Sequence, residues 1–184
     1  MKRQEALELM KSRVTTRNLQ KHILAVEAVM RKLAEHFGED IEEWGLAGLL
    51  HDLDYEDTKD DAARHSMMAA DWLMDMGLDE EIVEAVRAHN DFHGLPRETR
   101  MAKALYASDP LTGLIVASAL IHPDKKLKGI DTDFVMNRFS EGAFARGANR
   151  EAISTCQDEL GISLEDFVAM ALTAMQDIHK ELGL

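Results

Sequence analysis

Six polar residues sit where the apolar pattern of the chain leaves no obvious reason for them. His22 lies between Leu19 and Val26 on an apolar stripe, and His51 and Asp52 directly follow Leu49 and Leu50. His65 shares a helical face with Met68, Ala69, Trp72 and Met76. His89 shares one with Ile82, Ala85 and Val86, and Asp109 shares one with Ala102 and Leu105. An unsatisfied buried polar group costs roughly 1–3 kcal/mol, and an ionised carboxylate costs more. A metal centre would give all six a common partner, because neutral imidazoles and carboxylates are the usual ligands of Zn, Fe and Mn. One carboxylate can bridge two cations, so Asp52 can serve both halves of a binuclear site while His51 serves one.

Taken singly, each residue has a plainer explanation. A lone histidine on an apolar face is more often a satisfied core residue than a ligand. Asp109 followed by Pro110 fits a helix N-cap with proline at the first helical position. Their joint occurrence, in order and facing inward on five successive helical segments, is what points to a shared partner. The eleven methionines, several near His65, are core filler at helical spacing rather than soft-metal ligands.

Those segments follow from apolar periodicity. Leu19, Ile23, Val26, Met30, Leu33 and Phe37 step by three and four, and Gly38 ends the run. Further helices are expected from Ile41 to about Asp52, from Asp60 or Asp61 to Met76, and from Asp79 to about Asn90. Another runs from Arg97 towards Leu120, with Pro110 kinking or restarting it. After the connector "HPDKKLKGIDTD" come helices at about 133–140, 150–160 and 164–182, the last capped by Ser163 with Asp166 three positions on. No β-alternation of useful length occurs. The expected fold is all-α, with a metal-binding unit at 1–122 and a C-terminal helical extension at 123–184 packed on the same domain.

Composition narrows the function. The 184 residues carry 21 Lys and Arg against 34 Asp and Glu, a net charge of −13. Such a surface repels nucleic-acid backbone and anionic membrane, whereas a small phosphorylated substrate stays admissible because a bound cation reverses the local sign. The N-terminus has no apolar signal core, and the most apolar stretch, Leu111 to Ile121, is too short to span a bilayer. With the single Cys156 these features lead to the expectation of a cytoplasmic protein.

The stretches "KHILAVEAVM", "LAGLLHDLDYE", "ARHSMMAADWL", "VEAVRAHN" and "LYASDPLTGLI" together resemble the successive motifs of the HD superfamily of metal-dependent phosphohydrolases, over roughly 15–122. The resemblance implies an all-α HD-domain helical bundle with a first metal on His22, His51, Asp52 and Asp109. It further implies a second metal on His65 and His89, with Asp52 bridging. Departures are visible too. Asp54 and Tyr55 follow Leu53 where many members have Gly and then Lys, no GYP-like signature follows, and Asn90 stands where some binuclear members have a second histidine.

The expected chemistry is hydrolysis of a phosphoester, a nucleotide or another small phosphorylated metabolite, by a water activated on divalent metal (Fe, Mn, Mg or Zn), two per chain, with His51 and Asp52 at its centre. Lys103, Arg100 and Lys125, with Lys126 and Lys128 beside the last, are candidates for contacting phosphate. His93 is a candidate proton donor or supporting partner, with an exposed loop histidine as the plainer reading. The same ligand set suits an HD-type di-iron oxygenase, and a non-catalytic nucleotide-binding HD domain is the third possibility. The C-terminal helices leave room for a homo-oligomer surface.

Overall fold

The computed structural model describes residues 1–184. Every regular element is a helix: α1 (Arg3–Arg13), α2 (Arg17–Phe37), α3 (Ile41–Leu50), α4 (Tyr55–Thr58), α5 (Met67–Asp75), α6 (Glu80–Ala88), α7 (Arg100–Ile121), α8 (Thr132–Ser140), α9 (Arg150–Leu160), α10 (Leu164–Asp177) and α11 (His179–Leu182). Single 3₁₀ turns lie at Asp91–His93 and Leu127–Gly129. The all-α class therefore holds.

Helix starts follow side-chain capping. Asp40 accepts from the N–H groups of Glu42 and Glu43, Asp79 from Glu81, Thr99 from Ala102 and Asn149 from Glu151 and Ala152. Ser163 caps α10 as its sequence context leads one to expect, taking the Asp166 N–H at 3.1 Å and donating to the Asp166 carboxylate at 2.6 Å.

At the centre α2 lies against α3, and the two approach so closely that a Cβ on Gly48 would stand 2.8 Å from the Cα of Glu27. Around this pair pack α6, α7 and α10, with α9 laid along α7 and α1 against α3. The apolar core is continuous from Ala6 in α1 to Leu182 in α11, so residues 123–184 share one core with the rest. Sequence periodicity gave no reading for α1. It buries only Ala6 and Met10, continued by Val14, and is fastened by the Arg3 guanidinium on the buried carboxylate of Glu27.

Three other details differ from expectation. First, no helix begins at Asp60 or Asp61. Residues 59–65 form turns, and α5 starts only at Met67 because Ser66 takes a left-handed φ of 70°. His65 therefore precedes α5 instead of lying on its apolar face. Second, α7 runs unbroken through Pro110, so Asp109 is in mid-helix and not an N-cap. The ring removes only the donor to the Tyr106 carbonyl. Third, the stretch Leu111–Ile121 belongs to a helix that is by length and composition long and apolar enough to cross a membrane. Most of that helix is buried among α2, α6, α8, α9 and α10, as a core helix would be.

Candidate metal centre

His51 and His89 end α3 and α6, and they do so in the same way. Each imidazole turns back so that Nδ1 meets the carbonyl three residues earlier, Gly48 at 2.8 Å and Val86 at 2.7 Å. A carbonyl can only accept, so Nδ1 carries the proton and Nε2 is left with a lone pair. The bond also satisfies one of the free carbonyls at a helix end.

His22 and His65 reach the same state through side chains. The Thr112 hydroxyl donates to the Asp109 carbonyl at 2.9 Å, which leaves it to accept from His22 Nδ1 at 3.1 Å. His65 Nδ1 donates to Asp54 Oδ1 at 3.0 Å, and the other oxygen of that buried carboxylate takes the Ala69 N–H at 3.0 Å. The His65 backbone is held as well: its carbonyl accepts from Asn90 Nδ2 at 3.0 Å and from His93 Nε2 at 2.9 Å. Ser66 Oγ donates to the Arg87 carbonyl at 3.0 Å. The 62–66 turn is thus tied to the end of α6, which is why it departs from helix.

The four Nε2 atoms converge on two carboxylates. Asp52 Oδ2 lies 3.5 Å from His51 Nε2 and 3.8 Å from His22 Nε2. Asp109 Oδ1 lies 3.0 Å from His22 Nε2 and 4.0 Å from His51 Nε2. The other oxygen, Asp52 Oδ1, lies 3.5 Å from both His65 Nε2 and His89 Nε2. Asp52 therefore faces one cluster with each oxygen. Ligand atoms of His22, His51 and Asp109 fall within 4.8 Å of one another, as do those of His51, Asp52 and His89.

With every Nδ1 spent as a donor, lone pairs of nitrogen meet lone pairs of oxygen. Such an arrangement needs positive charge between the two. His51 Nε2 and His89 Nε2 are buried and have no hydrogen-bond partner, so both could serve as ligand atoms to a cation. The donor set of imidazole nitrogens and carboxylate oxygens suits a divalent transition metal. Without one, protons meet part of the demand. Burial works against a charged His89, but the Asp52 carboxylate 3.5 Å away and the charge of Asp109 outweigh it and hold its pKa up at about 8. His22 is likewise raised, against burial, by its hydrogen bond to Asp109. Burial dominates for His51 and lowers it. Burial disfavours ionised Asp52 and Asp109, yet the surrounding imidazoles keep both below the usual carboxylate range.

Two clefts open onto this cluster. One, of about 260 Å³, is lined by His65, His89 and Asp109 together with Asn90, Tyr106 and Asn149. The other, of about 310 Å³, is lined by His22, Asp109, Pro110, Ala145, Gly147 and Ala148. Gly147 borders both, so the segment before α9 forms part of the mouth.

The structure thus brings His22, His51, Asp52, His65, His89 and Asp109 together. It does not bring the expected phosphate-contacting cations to them. Arg100 pairs with Glu39 at 2.7 Å and lies over the Phe37 ring, nine residues and so about 13 Å along α7 from Asp109. Lys103 is half-buried on α7, Lys125 lies in the turn beyond the helix, and none of the three lines either cleft. The cation nearest the mouth in sequence is Arg146, beside Gly147. Asn90 does not face the carboxylates; its side chain caps the following turn and grips the 62–66 backbone. Asp54 and Thr112 were missed as partners. The available signals were a carboxylate two residues after Asp52 and a hydroxyl one turn after Asp109.

The family model of the HD domain matches residues 19–120. The chain is 34% identical over 98 residues to Ribonuclease Y of Lawsonia intracellularis, an alignment covering 53% of this chain and 19% of that protein. It is 30% identical over 98 residues to Ribonuclease Y of Nitratidesulfovibrio vulgaris, covering 53% and 18%. The chain thus spans about a fifth of the length of these relatives. No solved structure matches the chain significantly.

Proposed function

The chain belongs to the HD domain family, and on that premise we propose that it is a metal-dependent phosphohydrolase acting on a small phosphoester of the nucleotide class. The observation that carries the reading is Asp52, whose two oxygens face two pairs of imidazole Nε2 atoms, those of His22 and His51 and those of His65 and His89. That geometry favours two cations per chain, one held by His22, His51, Asp52 and Asp109, the other by Asp52, His65 and His89. Bound there, divalent metal would supply a water that ionises near neutral pH and positive charge for the phosphoryl oxygens.

The remaining work falls to the chain itself. Asp52 and Asp109 stay ionised and their charges keep the centre from becoming strongly cationic. The Nδ1 bonds fix ring orientation and tautomer before any ligand arrives. Tyr106 and Asn149 line the cleft beside His65 and His89, where the phenol and the amide nitrogen offer hydrogen bonds to the part of the substrate beyond the phosphate, while the Asn90 side chain is spent on the backbone around it. Relatives named as ribonucleases support phosphoester chemistry, while a net charge of −13 opposes a long polyanion as substrate.

The test is metal content and hydrolysis measured together. Two equivalents per chain after loading with Mn²⁺, hydrolysis of a mononucleotide or aryl phosphate without dioxygen, and loss of both in Asp52→Ala support the proposal. Loading with iron followed by a dioxygen-dependent spectral change, and no phosphoester turnover, would transfer the assignment to an oxygenase. Ligand binding that survives His51→Ala would indicate a non-catalytic binder.

A further inference from the structure

The segment 141–149 touches the apolar core only through Phe144, Ala145 and Ala148. It is rich in Gly and Ala, its only regular bonds are short turns such as Phe144 N–H to the Glu141 carbonyl and Ala148 N–H to the Ala145 carbonyl, and Ala145 holds a left-handed φ of 44°. Non-glycine residues seldom occupy that region, because the Cβ crowds the neighbouring carbonyl. Something must hold the segment in this shape.

Arg150, the first residue of α9, does so. Its guanidinium donates to five main-chain carbonyls: Phe144 at 2.7 Å, Ala145 and Ala148 at 2.8 Å each, Phe139 at 3.3 Å and Arg138 at 3.4 Å. It has no carboxylate partner among the ion pairs, so its bonds are spent on the backbone. The fork gathers the end of α8, the whole turn and the start of α9 around one side chain. Three residues of the gathered turn, Ala145, Gly147 and Ala148, stand opposite His22, Asp109 and Pro110 across one cleft, and Gly147 also borders the cleft beside His89.

We propose that Arg150 is a positioning residue that builds the substrate-side rim of the metal centre, and that this rim sets the size of phosphoester admitted. The size selection rests on the hydrolase reading; the architecture of the rim does not. The rim lies outside the residues matched by the family model. Clefts of about 260 and 310 Å³ sit at the small end of ligand sites, suited to a mononucleotide and not to a folded polynucleotide. A lysine at 150 would keep the charge but could not replace the planar fork of five donors.

The experiment compares Arg150→Ala and Arg150→Lys with the wild type, all as the Mn²⁺-loaded 184-residue chain. Metal per chain should be unchanged in both, since no ligand is touched. Amide exchange in 141–148 should accelerate by at least roughly tenfold in Arg150→Ala, less in Arg150→Lys, and methylguanidinium added to Arg150→Ala should restore protection. With a mononucleotide, KM should rise roughly tenfold while kcat changes by less than about threefold, and a dinucleotide should gain relative to it. Unchanged exchange in 141–148 with metal intact would overturn the proposal, as would kcat falling while KM and size preference stay put. If the wild type hydrolyses no phosphoester, the hydrolase reading fails by itself. Exchange and methylguanidinium rescue still decide whether Arg150 builds the rim. Should Arg150→Ala lose metal through misfolding, Arg150→Lys and Ala145→Gly answer instead: the first must still loosen 141–148, and the second must relieve the strained φ without altering metal content.

Discussion

Asp54 holds His65 from behind, its Oδ1 3.0 Å from His65 Nδ1 and its other oxygen on the Ala69 N–H. A buried carboxylate two residues from Asp52 thereby fixes the proton of an imidazole that comes from a different part of the chain. Replacing Asp54 with Asn offers His65 Nδ1 an amide N–H, which favours moving the imidazole proton to Nε2. The variant should bind metal about 10- to 100-fold more weakly in the half served by His65 and His89, and nearly normally in the other half. Titration with Mn²⁺ should resolve one intact and one weakened site. Two sites of wild-type affinity would show that Asp54 is merely a packing partner.

Protons and metal compete for His89. In the metal-free protein its pKa is held at about 8, so a proton must leave before the nitrogen can ligate. Metal affinity should fall by about tenfold for each pH unit below that value, with proton release on binding. The sign for stability is opposite in the metal-free chain. A raised pKa means that the pair with Asp52 stabilises fully below the ordinary value of 6.5 and loses its contribution as pH rises through about 8. Calorimetric titrations in buffers of different ionisation enthalpy measure the protons released, and a pH-independent affinity between 6 and 8, taken as roughly the range where His titrates, contradicts this account.

Glu56 ties the HD segment to the start of α2, accepting from the N–H groups of Thr15 and Thr16 at 2.9 and 2.6 Å and from the Thr15 hydroxyl at 2.8 Å. These donors, those of Thr16 first, hold its pKa down at about 2. A depressed carboxylate stabilises above its unfolded value, near 4.5, and loses that contribution as pH falls through about 2. Glu56→Gln should cost roughly 1 kcal/mol at neutral pH, after allowance for solvent screening, and the gap to wild type should close on acidification. Urea unfolding at several pH values tests it; a constant gap would refute it.

Gly48 is irreplaceable for steric reasons. A methyl group there would meet backbone atoms of Glu27 at 2.8 and 2.9 Å and the Val26 carbonyl at 3.0 Å, none of which can rotate away. Gly48→Ala must push α2 from α3 and should destabilise by about 1–3 kcal/mol. Because the Gly48 carbonyl also receives His51 Nδ1, metal affinity should fall with stability. Thermal unfolding with and without Mn²⁺ measures both. Wild-type values for the pair would mean that the helices have room to spare.

The six clustered residues were legible in the sequence because each breaks an otherwise apolar pattern. Helical periodicity placed five helical segments, and the polar exceptions on them marked the site. Periodicity failed at 59–66 because the bonds that fix that turn, from Ser66, Asn90 and His93, are tertiary. It misjudged Pro110, since α7 can forgo one donor when its faces are packed. It passed over α1, whose attachment through Arg3 and Glu27 is an ion pair between residues 24 apart. Arg100 and Lys103 line neither cleft, because position along α7 says nothing of distance across the bundle. The mouth is closed by a turn of small residues that carries no chemical signature, and only the carbonyls around Arg150 reveal it.

Every side chain of the proposed metal centre lies between His22 and Asp109, whereas the rim lies between Glu141 and Asn149. On the proposed function, the reacting centre and this rim are consequently written in separate stretches of the chain. An insertion, deletion or exchange in the second stretch can alter what is accepted without rewriting a ligand. The acidic exterior and the helical frame could stay as they are while successive rims retarget one unchanged centre, which makes 141–149 the natural place to graft a new specificity.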